Sequence, residues 1–144
     1  MFAGTYRPKV DAKGRLAIPH RLRDKLPEGS HISIGPDDVL VIYTPAEFEK
    51  VAQAVPAPWQ ATDQERQFRR MLYSLAQPCE FDTQGRVTLT QEQRRYSRIE
   101  PGSTVVVAGT GDLVEIWPEA RWDSYSADAQ PRFTDLVSKV FPKG

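Results

Sequence analysis

The chain has 144 residues and a formal net charge of zero, with 40% hydrophobic and 26% charged residues. This length and composition predict a soluble protein with one moderate core or two small ones that share an interface. No apolar run approaches the roughly 20 residues that span a bilayer, and no charged-then-apolar leader begins the chain. We therefore expect a cytoplasmic protein with no membrane partner. A single cysteine, Cys79, excludes an internal disulfide, and we expect it to be a small packed residue.

The first predicted element is a tight turn at residues 11–15, which read Asp-Ala-Lys-Gly-Arg and are here called the first loop. An aspartate at the first turn position, Asp11, can accept turn N–H groups, and Gly14 tolerates a left-handed backbone. Apolar and polar residues alternate after Arg15, as in a half-buried strand. We expect a hairpin that joins two antiparallel strands and carries Arg15 outward, with Lys13 as a second cation.

The remainder of the first half follows the same kind of pattern. We expect a short polar helix over residues 19–26 and two apolar strands on either side of a turn, followed by a second helix. The two strands cover residues 31–35 and 39–43. Thr44 and Glu47 predict a capping box at the start of the second helix, with Pro at its first position.

Between the halves, Pro56 and Pro58 interrupt the chain, and a new helix begins at Thr62. Apolar residues with helical spacing follow on one face of that helix: Phe68, Met71, Leu72 and Leu75. We interpret this segment as a helical connector, in contrast to a flexible linker.

The turn motif then recurs 71 positions later, at residues 82–86, which read Asp-Thr-Gln-Gly-Arg and are here called the second loop. The same order of elements follows it, with a capping box at Thr90 and Gln93 and apolar strands over residues 104–108 and 113–117. Two matching halves indicate an internal repeat. By this alignment Asp82 and Gly85 shape the second loop as Asp11 and Gly14 shape the first.

Apolar residues with helical spacing end the chain: Phe133, Leu136, Val137, Val140 and Phe141. A stripe this short is typical of core packing or of a subunit contact.

Positive charge is concentrated where the loops lie. Residues 1–25 contain seven Lys or Arg and two acids, and residues 82–98 contain four and two. Both remaining parts of the chain are net acidic. This distribution favours an anionic partner, although the net charge of zero is unusual for a nucleic-acid-binding domain.

Groups that could perform catalysis do not cluster in the sequence. The two histidines, His20 and His31, lack metal-ligand spacing, and Cys79 has no neighbouring base. A Gly-Thr-Gly run at residues 109–111 lacks the further glycine, lysine and helix start of a phosphate loop, so we interpret it as a hairpin turn. We expect no enzyme, no cofactor, no metal site and no small-molecule substrate.

What remains is a pair of rigid turns, each carrying one arginine. Arginine binds phosphate oxygens or a guanine edge in a bidentate manner, and a two-stranded ribbon fits the major groove of DNA. We expect Arg15 and Arg86 to contact DNA, with Lys13 and Gln84 as adjacent donors. The alternative that stays open is an oligomeric interaction protein whose arginines bind protein carboxylates.

These residues resemble the MraZ family of bacterial transcriptional regulators. The resemblance rests on the opening Met1-Phe2-x-Gly4, on Asp11-x-Lys13-Gly14-Arg15-Leu16-x-Ile18-Pro19, and on Asp82-x-x-Gly85-Arg86-Val87. It implies an α+β fold of two tandem SpoVT-AbrB-like halves in a double-split, swapped-hairpin β-barrel with flanking helices. It also implies a nucleoid-associated homo-oligomeric ring that binds direct repeats in the promoter of its own division and cell-wall gene cluster.

The resemblance also implies a division of the chain and of its DNA contacts. The two SpoVT-AbrB-like halves cover residues 5–47 and 76–119, with a connector at 48–75 and a C-terminal helical segment at 120–144. Lys13, Arg15 and Arg86 are the DNA contacts that the resemblance implies. Because Gln84 replaces Lys13 in the second loop, we expect the first loop to dominate DNA contact.

Overall fold

A computed structural model describes residues 1–143 of the chain, so Gly144, the end of the expected C-terminal segment, lies outside the described residues. Within that range the chain forms eight strands and six α-helices in mixed order, as the predicted α+β class requires. The strands are β1 Thr5–Tyr6, β2 Arg15–Ala17, β3 His31–Ile34, β4 Leu40–Tyr43, β5 Gln77–Pro78, β6 Arg86–Thr88, β7 Val105–Gly109 and β8 Val114–Pro118. The helices are α1 His20–Arg23, α2 Pro45–Gln53, α3 Asp63–Ser74, α4 Gln91–Ser97, α5 Glu119–Ala129 and α6 Phe133–Val140.

A six-stranded antiparallel sheet in the order β1-β7-β8-β4-β3-β5 forms the centre of the molecule. Each half contributes one hairpin, β3–β4 or β7–β8, and the two hairpins meet where β4 pairs with β8. The outer strand of each half pairs with the hairpin of the other half, since β1 lies beside β7 and β5 beside β3. The two halves therefore exchange strands and share one sheet.

The strands that follow the two loops form a separate antiparallel ribbon, in which β2 pairs with β6. Our prediction that each loop joins two strands of its own hairpin is wrong. The residue before the first loop, Val10, makes only an isolated bridge to Leu16. The segments that precede the two loops form backbone hydrogen bonds with the opposite half of the chain. Val10 N donates to Ser103 O, and Cys79 N donates to Ser30 O. No closed barrel is found among residues 1–143, so the double-split barrel stays a prediction.

Apolar side chains cover both faces of the large sheet. The ribbon packs on one face, where Leu16, Ile18, Val87 and Leu89 are at most 2% exposed. On the opposite face Leu72 of α3 is buried in a second cluster with side chains of β4, β7 and β8. The ribbon is thus anchored to the core through alternate residues, which leaves its other side toward solvent.

Helix starts follow the sequence signals closely, with two exceptions. Thr62 and Thr90 each form a complete capping box, at the starts of α3 and α4. The box predicted at Thr44 is wrong: Thr44 accepts the Glu47 N–H, but the Glu47 carboxylate accepts a bond from Lys50 Nζ at 2.9 Å. The lysine one turn later competes for the carboxylate that would close the box. The helix predicted over residues 19–26 is also shorter, since α1 has four residues.

Helices α3 and α6 leave apolar surface exposed. On α3 the side chains of Phe68 and Met71 are about half exposed, at 47% and 50%. On α6 Phe133 and Val140 are about two-thirds exposed, so the C-terminal stripe does not belong to the core of this chain. None of the helices within residues 1–143 has the length and hydropathy to cross a membrane.

Candidate nucleic-acid interface

Asp11 organises the first loop through its side chain. Its Oδ1 accepts the backbone N–H groups of Lys13 at 2.9 Å and Arg15 at 2.8 Å, while its backbone carbonyl accepts the Gly14 N–H at 3.0 Å. Gly14 has φ = +81°, a conformation that costs other residues about 1–2 kcal/mol. One carboxylate and one glycine therefore fix the backbone from which Arg15 extends.

The second loop repeats this geometry. Asp82 Oδ1 accepts the N–H groups of Gln84 at 2.9 Å and Arg86 at 3.0 Å, and Gly85 has φ = +74°. In both loops these hydrogen bonds lower the pKa of the aspartate. The backbone N–H of the loop arginine is the largest cause, and its guanidinium adds to it. Both carboxylates are consequently ionised at neutral pH.

Each loop arginine is held at one nitrogen by its own aspartate. Arg15 Nε donates to Asp11 Oδ2 at 2.7 Å, and Arg86 Nε donates to Asp82 Oδ2 at 2.9 Å. Arg86 also reaches across the ribbon, where its Nη1 lies 3.6 Å from Asp11 Oδ2. Within residues 1–143, both terminal nitrogens of Arg15 lack a hydrogen-bond partner. An arginine restrained at Nε and unoccupied at its outer nitrogens loses less side-chain entropy when it binds a ligand.

The register of the ribbon places both arginines on one surface. Arg15 lies opposite Thr88, and Arg86 lies opposite Ala17. Because side chains alternate along a strand, the buried Leu16 and its partner on β6 face the core while the two arginines face outward. Their side chains are 35% and 24% exposed. Strand exchange thus joins the two predicted contacts in one continuous surface, although they are 71 positions apart in sequence.

Lys13 and Gln84, the predicted adjacent donors, lie exposed on their loops. No side-chain hydrogen bond is found for either within the part of the chain that the structure describes. The lysine gives the first loop one more positive charge than the second, and the dominance of the first loop in DNA contact stays a prediction.

Two further arginines lie against the loops and were missed by the sequence reasoning. Arg94 of α4 covers Gly14, where a Cβ atom would lie 3.0 Å from its Nε. Arg23 of α1 covers Gly85 in the same manner. Arg94 Nε donates to Leu89 O at 3.3 Å, and Arg23 Nη1 donates to a carbonyl at the end of β2 at 3.2 Å. Each loop is therefore covered by a helix of the opposite half.

A signal for these two residues exists in the sequence, because Arg23 and Arg94 are separated by the same 71 positions as the loops. We refer to β2, β6, both loops and these two arginines as the ribbon face. It carries five cations, namely Lys13, Arg15, Arg23, Arg86 and Arg94, against the carboxylates of Asp11 and Asp82. The surplus of positive charge suits an anionic ligand.

Other chemically active side chains are engaged elsewhere. Burial raises the pKa of the Cys79 thiol to about 12, which keeps it neutral. His20 Nε2 lies 2.9 Å from Asp24, and His31 Nδ1 lies 2.9 Å from the Gly29 carbonyl. Gly109 ends β7 and residues 110–113 connect it to β8, in agreement with a hairpin turn at this run. Within residues 1–143 no group of three or more His, Cys, Asp or Glu residues has an arrangement that could hold a metal ion.

Comparison with known proteins identifies the family. The family model described as "MraZ protein, putative antitoxin-like" matches twice, at residues 1–71 and 72–141. A protein of Nocardioides sp. named "Transcriptional regulator MraZ" is 37% identical over 135 residues, which cover 94% of this chain and 92% of that protein. Proteins with the same name from Mycobacterium sp. (strain KMS) and Symbiobacterium thermophilum are 37% and 36% identical. These matches cover 97% and 95% of this chain, and 96% and 98% of the respective relatives. The chain therefore belongs to the MraZ family.

Proposed function

We propose that this chain is a sequence-specific DNA-binding regulator of transcription and that the ribbon face contacts the DNA. The observation that carries the proposal is the shared outward surface on which Arg15 and Arg86 lie, each restrained at Nε by an aspartate of its own loop. Relatives at 35–38% identity are named transcriptional regulators, a description that is not an enzyme class.

In the proposed complex the ribbon lies against the major groove of double-stranded DNA. The outer nitrogens of Arg15 and Arg86 donate to phosphate oxygens or to the O6 and N7 atoms of guanine. Lys13 adds a contact to the backbone at the first loop, and Gln84 adds a neutral donor at the second. The aspartates and glycines of the two loops position these donors without touching DNA.

The proposal extends to target and location. We infer that the target consists of direct repeats in the promoter of the chain's own division and cell-wall gene cluster, and that the protein acts in the cytoplasm at the nucleoid. The support is the family membership together with the double loop motif. One chain offers only a few donors, and each phosphate contact contributes modestly at physiological salt.

Repetition of the ribbon face would compensate for this small number of contacts. We propose a ring-shaped homo-oligomer, in which several ribbon faces bind successive repeats with high effective concentration. The support is the apolar surface that a single chain leaves in water, on α3 at Phe68 and Met71 and on α6 at Phe133 and Val140.

A second candidate function is favoured by one observation. In both loops the arginine already binds a carboxylate, at 2.7 Å and 2.9 Å, so the same guanidinium groups fit acidic side chains of a protein partner. An oligomeric interaction module of this kind would show no preference for a DNA sequence. DNA binding is the better supported function, because the positive surplus of the ribbon face suits DNA and the relatives are named transcriptional regulators.

An electrophoretic mobility shift separates the two functions. The probe is the region upstream of the chain's own gene, and the competitor is a shuffled duplex of the same length and composition. We expect a specific shift that Arg15→Ala weakens and that Arg70→Ala, which removes an exposed charge on α3, leaves unchanged. Equal binding to both duplexes, or full binding by Arg15→Ala with its oligomer intact, would reject the proposed function.

A further inference from the structure

A cleft lies beside the C-terminal end of α4, on the helix that covers the first loop. Its volume is about 430 Å³, and its walls include Gln91, Arg94, Arg95, Arg98 and Glu100. We call this feature the arginine cleft. Three guanidinium groups and one carboxylate give it a surplus of positive charge, in a chain whose net charge is zero.

The helix end itself explains how three arginines converge. Arg94 and Arg95 occupy the last turn of α4, and Arg98 caps the helix with φ = +59° in the left-handed region. Arg98 N donates to Arg95 O at 3.3 Å, which turns the chain back toward the helix. A non-glycine residue in this conformation is uncommon and strained. The chain therefore has an arginine at a position where glycine is the usual residue.

The three arginines of the cleft have few internal partners. Arg95 and Arg98 are exposed, and within residues 1–143 none of the three forms a salt bridge. Arg94 donates to the Leu89 carbonyl through Nε, which leaves its outer nitrogens for a ligand. Cations that no carboxylate neutralises retain their attraction for an external anion.

The cleft is continuous with the ribbon face at one end only. Arg94 belongs to both, because it lines the cleft and covers Gly14 of the first loop. At the second loop the equivalent helix is α1, where Asp24 stands in place of Arg95 and His20 in place of Gln91. That histidine and aspartate lie 2.9 Å apart and bind each other. Helix α1 also carries cations, at Arg21 and Arg23, but the arginine cleft lies beside the end of the ribbon face that carries Lys13.

We propose that the arginine cleft is a second phosphate-binding site, which holds the DNA backbone where it leaves the first loop. This inference rests on the proposed function. The backbone of a duplex seated on Arg15 and Lys13 passes Arg94 and enters the cleft, where Arg95 and Arg98 neutralise one or two phosphates. The site carries no sequence information, since it contacts the backbone alone. This contact beside the first loop fixes the orientation of the protein on each repeat.

Salt dependence tests this inference. Each neutralised phosphate contributes about 0.9 to the slope of log K against log salt concentration. The variant Arg95→Gln/Arg98→Gln should therefore bind promoter DNA with a slope lower by about one to two units for each subunit that engages the DNA. The variant Arg95→Lys/Arg98→Lys keeps the charges and should retain the slope. Arg70→Gln/Lys143→Gln, which removes two exposed cations that form no salt bridge within residues 1–143, is the matched control.

A second series shortens the duplex beyond the repeat, one flank at a time. Removal of the flank next to the first loop should weaken the wild-type protein, but should not weaken the Arg95→Gln/Arg98→Gln variant further. An unchanged slope in that variant, beside a reduced slope in Arg15→Ala, would overturn the second site and leave the proposed function intact. An equal loss of affinity in the glutamine and lysine variants would show that Arg95 and Arg98 have a structural role. That result would also overturn the second phosphate-binding site. Failure of the wild-type protein to bind specifically would reject the proposed function itself.

Discussion

Substitution of Gly14 by alanine tests the geometry of the first loop most sharply. A Cβ atom there would lie 2.9 Å from the backbone oxygen of Leu89 and 3.0 Å from Arg94 Nε, with φ at +81°. The left-handed conformation costs alanine about 1–2 kcal/mol. Crowding against a backbone atom adds about 1–3 kcal/mol, because the ribbon must shift to relieve it.

Two other glycines supply matched comparisons. Gly102 has φ = +85° and no atom within 4 Å of its Cβ position, so Gly102→Ala measures the conformational cost alone. At Gly85 the Cβ would meet the outer part of the Arg23 side chain, which can rotate away. The loss of unfolded-state entropy on replacing glycine by alanine is common to all three variants and cancels in the comparison.

Urea unfolding of the three variants gives the free energies to compare. We expect Gly14→Ala to be the least stable, and Gly85→Ala to lie near Gly102→Ala. Promoter affinity should fall for Gly14→Ala and Gly85→Ala, and should remain at the wild-type value for Gly102→Ala. Equal stability of Gly14→Ala and Gly102→Ala would refute the close approach of the Leu89 carbonyl to Gly14.

Two predictions concern titration. The pKa values of Asp11 and Asp82 are lowered in the folded state, so these groups stabilise the fold above the ordinary aspartate pKa of about 3.9, and that contribution is lost as pH falls through their lowered values. The urea midpoint of unfolding should fall less steeply below pH 4 in Asp11→Asn/Asp82→Asn than in wild type. Parallel plots of midpoint against pH would contradict the stabilising hydrogen bonds of the two aspartates. The Cys79 thiol, with its pKa near 12, should react with iodoacetamide at pH 8 much more slowly in the folded than in the unfolded protein. Equal rates would show that it is not buried.

Local features of the two loops could be predicted from sequence because they depend on neighbouring residues. An aspartate four positions before an arginine, with glycine between them, specifies its own hydrogen bonds and the left-handed backbone. The structure has this geometry at Asp11 and Gly14, and again at Asp82. The capping boxes at Thr62 and Thr90 are local in the same sense.

Strand pairing could not be predicted in the same way, because it depends on contacts far apart in the chain. The alternation at residues 16–18 fits a hairpin with the chain before the first loop as well as pairing with β6. In the structure the first is limited to one bridge between Val10 and Leu16, whereas β2 pairs with β6 over three residues. The roles of Arg23 and Arg94 depend on that exchange. Each lies on a short basic helix that resembles an ordinary solvated surface until the opposite loop is placed beside it.

The most direct test of the central claim is the salt dependence of binding to the chain's own upstream DNA, measured for wild type and for Arg15→Ala/Arg86→Ala. If both arginines bind DNA from one ribbon face, each arginine that neutralises a phosphate should cost the double variant about one unit of slope per engaged subunit. Each arginine that contacts a guanine edge should cost it sequence preference, while its fold and oligomeric state are retained. A double variant that keeps the wild-type slope and preference would contradict the assignment of the ribbon face as the DNA-binding surface.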